Sequence, residues 1–218
     1  MGKSLAESFF TAAERDQVTA AVQAAEQETS GEIVALVTSA SHHYSQAATV
    51  GGFLLGLPLA LLAMPWVGHF FWFDGQNVWI FLLCLTFFYP PLRLLVARWT
   101  WLKRFFLFTE QVGEEVSEAA MAAFYSHQLD ATRERNGVLL FISVLERRVF
   151  ILADQGVNDK VDRDHWRSIV DDLTAAIRRS QRGPAVCQTI GEIGAVLREH
   201  FPIHPDDKNE LRDLIICP

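Results

Sequence analysis

The sequence predicts an α/β domain built on a small mixed sheet and interrupted by a two-helix transmembrane hairpin. Three observations predict it. Two apolar runs of bilayer length, with one charge between them, lie close together at Ala47–Val67 and Asn77–Ala97. Helical and strand-like patterns alternate on both sides of these runs. Charge is also unevenly spread: no Asp, Glu, Lys or Arg occurs from Ile33 to Phe73, whereas acidic and basic residues crowd the chain after Arg98.

Before the hairpin, Thr11-Ala-Ala-Glu14 is a capping box that opens a helix, and Val18, Ala21, Val22 and Ala25 give that helix one apolar face. Ser30-Gly31 is its expected end. Glu32–Ser39, EIVALVTS, follows as a buried strand, because its residues are mostly apolar and partly β-branched.

The first apolar run, AATVGGFLLGLPLALLAMPWV, spans about 30 Å as a helix, the hydrocarbon thickness of a bilayer. Gly51, Gly52, Gly56 and Pro58 are tolerated in a membrane helix, and the glycines offer a packing face. The second run carries one charge, Arg93, near its end, and Pro90-Pro91 is expected to kink or unwind it there. The connection is short, so the helices are antiparallel. Trp66, Trp72 and Trp79 mark one interface, and Trp99 and Trp101 the other. Arg93, Arg98, Lys103 and Arg104 flank the exit, while the inter-helix loop has no basic residue; this bias places both termini in the cytoplasm. No carboxylate lies within either span, which argues against an ion pathway and for an anchor in contact with lipid. The segment 98–108 reads as interfacial, rich in basic and aromatic residues.

After the hairpin a helix starts near Thr109, with Val112, Val116, Ala119, Ala120, Ala123 and Phe124 at helical spacing. Gly137–Val144 and Val149–Asp154 are two strands joined by a short turn, hence antiparallel. A further helix runs from Asp162 to about Ser180, and Gly183-Pro184 separates it from a last helix carrying Val186, Ile190, Ile193 and Leu197. The Pro-rich, polar tail from His200 to Asp213 reads as irregular. The expected organisation is a discontinuous cytoplasmic domain of residues 1–46 plus 105–218, a hairpin at 47–97 and the interfacial segment 98–108.

Composition removes several function classes. Net charge is −7 and no basic block would track a phosphate backbone, so nucleic acid is not an expected partner. Cys84, Cys187 and Cys217 form no CxxC pair and indicate neither a disulfide framework nor a zinc site. The N-terminal residues lack a secretory signal pattern.

Phe9–Val37 and Asn136–Val157 together resemble the TPM domain family: a helix closed by a Thr/Ser-Gly-Glu-Ile strand start, and a central hairpin with Asn-Gly before it and an Arg-rich turn. The resemblance implies an α/β/α sandwich with an acidic concavity beyond the strand ends, which in some members binds calcium or releases phosphate weakly. It also implies a LemA-type membrane protein as partner, and an exported location for the usual member, whereas this chain's two spans and charge bias give a bacterial inner-membrane setting that faces the cytoplasm. Many members continue the hairpin as Glu-x-Gly-x-Gly; the equivalent stretch here, Ala153–Val157, lacks one glycine.

The residues themselves offer one acidic cluster: Asp154, Asn158, Asp159 and Asp162, with Asp164 and His165 beside them. Oxygen ligands at short spacing suit Ca²⁺ or Mg²⁺, so these are the candidate metal ligands, with Glu32 joining them if the strands run suitably. The same residues read more simply as a helix cap at Asp162 or Asp164, a turn at Asp159 and a surface His165. No G-x-S-x-G and no Gly-rich phosphate loop occurs, and Ser143 shows no base partner in the sequence. Glu110, Glu114, Glu115 and Glu118 make an acidic helix face, either solvated surface or a dock for a basic partner. Two functions remain: a membrane-anchored binding or assembly module, or a weak metal-assisted phosphatase.

Overall fold

The computed structural model describes residues 4–41, 45–70, 78–99, 102, 109–203 and 211–217. The chain divides into two compact units, residues 1–42 with 113–218, and residues 43–112. The interfacial segment expected at 98–108 falls mostly outside the described residues, as do His42, His43 and Trp72 and the side chain of Glu110.

The first unit is a four-stranded mixed sheet. Its strands are β1 (Glu32–Thr38), β2 (Gly137–Ser143), β3 (Arg148–Ala153) and β4 (Leu214–Cys217), in the order β3-β2-β1-β4. β1 runs parallel to β2 and β4, and β2 pairs antiparallel with β3. All seven residues of β1 and of β2 are buried, as unbroken apolar runs in a covered sheet should be. β4 lies in the stretch after the polar tail and escapes notice in the sequence because it is only four residues long.

Strand alternation divides the core. Ile33, Ala35, Val37, Val138, Leu140 and Ile142 face one layer of three helices: α1 (Ala12–Glu26), α5 (Arg163–Arg178) and α6 (Arg182–His200). These helices contribute Val18 and Val22, then Trp166, Ile169 and Leu173, then Val186, Ile190, Ile193 and Leu197. The N-terminal segment adds Ala6, Phe9 and Phe10 to the same core. Val34, Leu36, Leu139 and Phe141 point to the other side and are equally buried. α4 (Thr109–Ser126) contributes nothing to the three-helix cluster, and its buried stripe of Val116, Ala120 and Phe124 suits that second face.

Caps fix several boundaries. The Thr11–Glu14 capping box forms as its sequence requires, with both reciprocal bonds present. α1 stops at Glu26 rather than at Ser30-Gly31, and the Glu26 carboxylate reaches across the turn to accept the Ile33 amide at 2.9 Å. α5 closes at a left-handed Ser180 (φ 66°), where the sequence places its end, but Gly183 lies inside the first turn of α6 rather than between the two helices.

The second unit contains two long antiparallel helices, α2 (Ser45–Phe70) and α3 (Val78–Arg98). Both are long and apolar enough to cross a membrane, and only 22% and 11% of their most apolar windows is buried. Among the described residues, every exposed large hydrophobic side chain except Met121, Tyr125 and Ile203 lies between Phe53 and Trp99. The seam between the helices is a row of small residues, Ala48, Gly52, Gly56 and Ala60, all buried and spaced four apart. Gly52 lies against the Arg93 backbone and Gly56 against that of Tyr89. α3 continues unbroken through Pro90-Pro91, so the expected unwinding does not occur. Proline lacks an N–H but has a helix-compatible φ, and membrane helices accommodate it.

Candidate functional site at the amino edge of the sheet

Glu32, Gly137 and Asp154 stand side by side at one end of the sheet. Glu32 pairs with Gly137, and the Asp154 amide donates to the Gly137 carbonyl at 2.9 Å. Two strand spacings separate Glu32 from Asp154, about 10 Å. The strands therefore do bring Glu32 to the same edge as Asp154. Asp154 follows the last residue of a strand, yet it does not lie at the carboxyl edge of the sheet. β3 is antiparallel, so its last residue returns to where β1 and β2 begin, whereas open α/β sheets bind ligands beyond the carboxyl ends.

Asp154 is 5% exposed, and both its oxygens are engaged. Oδ2 accepts from Arg135 Nε at 3.0 Å, and Oδ1 accepts from Arg135 Nη2 at 3.2 Å and from the Gln155 amide at 2.6 Å. The carboxylate thus caps the single helical turn Gln155–Asn158 and clamps a guanidinium that is itself 57% exposed. This hydrogen-bonded carboxylate holds the Arg135 pKa above its ordinary value. Arg135 adopts the left-handed conformation (φ 54°), and its carbonyl accepts the Gly156 amide at 3.1 Å. A Cβ at 156 would stand 2.7 Å from that oxygen, so only glycine allows the approach.

Beside the clamp lies a polar tie between the loops that precede β1 and β2. Asn136, 2% exposed, donates from Nδ2 to the Ser30 carbonyl at 2.7 Å. The Ser30 hydroxyl donates to Glu134 Oε2 at 2.9 Å, and Thr132 Oγ1 accepts the Asn136 amide at 3.1 Å. Next to this tie is a cleft of about 390 Å³ lined by Gln23, Glu26, Thr29, Glu32 and Ile203, an acidic concavity at the start of β1.

The other flagged residues serve local structure. Asn158 Nδ2 donates to the Ala153 carbonyl at 2.6 Å, and Asp159 is the exposed C-cap residue of the same turn. Asp162 caps α5 by accepting the Asp164 amide at 3.2 Å, and Asp164 pairs with Arg167 at 2.8 Å. His165 is exposed. Among the described residues, no group of three or more His, Cys, Asp or Glu side chains is placed to hold a metal ion.

Ser143 does have a carboxylate neighbour, contrary to the sequence expectation. Its hydroxyl donates to Glu146 and accepts from Ser41 Oγ at 3.0 Å, while Glu146 Oε1 accepts the Ser41 amide at 2.9 Å. At 1% exposure Ser143 cannot meet a substrate, and this knot closes the β2–β3 turn onto the end of β1. Sequence reasoning missed Arg135, Ser30, Glu134 and Glu26. Arg135 lies 19 residues before Asp154, and only the hairpin brings the two together. The charged run Arg133–Arg135 just before a buried strand was the available signal.

The family model for the TPM domain, which bears the name TPM phosphatase, matches residues 103–196. The chain is also similar to a solved structure, the NMR structure of the BA42 protein from the psychrophilic bacterium Bizionia argentinensis. Identity is 20% over 96% of each chain, with a TM-score of 0.59. That likeness is one of fold. No curated protein matches the chain.

Proposed function

We propose that this chain, which carries a TPM domain, is a two-pass membrane-anchored binding module working at the cytoplasmic face of a bacterial inner membrane. In this reading α2 and α3 are the anchor and both termini are cytoplasmic. The protein partner docks on the exposed face of α4. One observation carries the docking reading: Glu114, Glu118, Met121 and Tyr125 are all exposed and spaced four, three and four residues apart, so they share a single helix face. Met121 and Tyr125 are 46% and 63% exposed, and only Ile203 matches them among the described residues outside 53–99. A partner helix with basic residues followed by an apolar pair would complement this stripe. The resemblance to the family points to a LemA-type membrane protein as that partner.

The test places a photocrosslinking amino acid at Tyr125 in cells, with His165 on α5 as a control position. A single adduct from position 125, lost in Glu114→Lys/Glu118→Lys, supports the reading. Equal adducts from both positions, or none from 125, overturn it. Reagent access to engineered cysteines near each terminus reads the orientation separately.

A second reading, a weak Ca²⁺- or Mg²⁺-assisted phosphatase using Asp154, Asn158, Asp159 and Asp162, draws on the name of the family model and on the acidic cleft at Glu26 and Glu32. Calorimetric titration with each cation, together with phosphate release by Asp154→Asn, discriminates it. Release that survives the substitution removes Asp154 from any such chemistry.

A further inference from the structure

One side of the α2–α3 hairpin is not flat. Val50, Phe53 and Leu54 on α2, with Leu85, Thr86 and Tyr89 on α3, line an apolar groove of about 630 Å³. Pro90 closes the α3 wall, and Arg93 continues it, one turn beyond Tyr89 and Pro90 on the same helix face. Arg93 is exposed, and the backbone beneath it is pressed against Gly52, which fixes its position. Helical Cα–Cβ bonds lean toward the preceding turn, so the side chain starts out over the end of the groove. Arg93 lies five residues before Arg98, about 7 Å along the helix, at the depth where a guanidinium reaches headgroup phosphates.

Among the described residues no carboxylate pairs with Arg93. A charge beside apolar surface calls for an anion, and the source of that anion selects the occupant. A second copy of the hairpin cannot supply it, because neither span contains Asp or Glu. A phospholipid supplies both the phosphate and the apolar chain. We propose that this groove holds one anionic glycerophospholipid, with an acyl chain along Phe53, Leu54 and Leu85 and its phosphate on Arg93. The proposal rests on the hairpin being membrane-embedded, a premise checked separately: a chain released from membranes by carbonate would refute the anchor itself.

The experiment is native mass spectrometry of the full chain in detergent, titrated with dioleoylphosphatidylglycerol or dioleoylphosphatidylcholine. The expected result is one phosphatidylglycerol adduct per chain, saturating and favoured over phosphatidylcholine. Arg93→Gln should weaken it about tenfold or more, the scale of a lost charge-assisted hydrogen bond. Arg93→Lys should retain part of the binding. Val50→Phe, which fills the groove, should lose the adduct while helicity by circular dichroism is kept. Equal binding by Arg93→Gln and the parent chain overturns the proposal, as does an unaffected Val50→Phe. Equal affinity for the two lipids removes the anionic preference. If Val50→Cys crosslinks two chains and no lipid is retained, the occupant is a second copy and the proposal fails.

Discussion

Asp154 and Arg135 form an unequal pair, and this inequality makes a sharp prediction. The carboxylate is 5% exposed and the guanidinium 57%. Asp154→Asn preserves an N-capping side chain that can still accept the Gln155 amide. It leaves a guanidinium that water can solvate, and a half-exposed ion pair contributes little by itself. Arg135→Gln does the reverse. It strands a buried carboxylate whose remaining partner among the described residues is the Gln155 amide, and a buried charge without its counter-charge is the costly outcome. We expect the opening equilibrium of the domain to rise about fivefold in Asp154→Asn and about thirtyfold in Arg135→Gln. Thiol labelling of the full chain reads this. Cys187 and Cys217 are half-buried, and burial raises both thiol pKa values, so the closed domain reacts slowly. Peptide mapping separates both from Cys84 in α3. If Asp154→Asn opens the domain as much as Arg135→Gln, the ion-pair account is wrong and the carboxylate is holding something else.

Other substitutions follow from close approaches. A Cβ at Gly137 would clash with the Leu129 carbonyl oxygen, a backbone atom, so Gly137→Ala should cost about 1–3 kcal/mol, visible as a lower Tm. Gly52→Leu should splay the hairpin, because a Cβ there already meets the Arg93 backbone at 2.9 Å; loss of a disulfide between cysteines placed at Ala60 and Leu85, which the Gly52–Arg93 and Gly56–Tyr89 register sets opposite each other, would report it. The Glu14 pKa is lowered below its usual 4.5 by the Thr11 amide, then by the Thr11 hydroxyl, with a further bond from the Gly183 amide in α6. A lowered folded pKa means its contribution is complete above pH 4.5 and is lost as pH falls through the folded value. Acid should therefore raise Cys187 labelling, and Glu14→Gln should flatten that response.

The elements most legible in the sequence were those specified by local chemistry. The Thr11–Glu14 box, the apolar stripes of α5 and α6 and the unbroken apolar runs of β1 and β2 each state their own geometry within a few residues. What stayed hidden depends on distant partners. β4 is recognisable only because Ala35–Thr38 offers it an open edge. The turn after α1 is tied by Glu26 reaching Ile33, seven residues on. At the candidate site, Asp154 and the antiparallel hairpin that ends at it could be read, but not that β1 runs parallel to β2, which puts Glu32 at the same edge. Asp154 returns to the amino edge of β1 and β2, where it meets Arg135.

The order of strands also constrains the hairpin. β1 is contributed before it, yet both of β1's edges are paired by chain that comes after: β2 on one side and β4 on the other. The Ala35 and Ser39 amides donate to the Asp213 and Cys217 carbonyls, and all seven β1 side chains are buried. β1, β2 and β4 must therefore occupy the same compartment, so any membrane segment between β1 and β2 has to cross an even number of times. α2 and α3 satisfy this only together. Deleting residues 78–97 alone, so that α2 becomes a single span, should place β2–β4 across the membrane from β1. It should also leave Cys187 and Cys217 rapidly labelled from the far side. Deleting 45–97 should bring the strands back together, with slow labelling restored. Slow labelling in the single-span variant would mean that α2 does not cross at all.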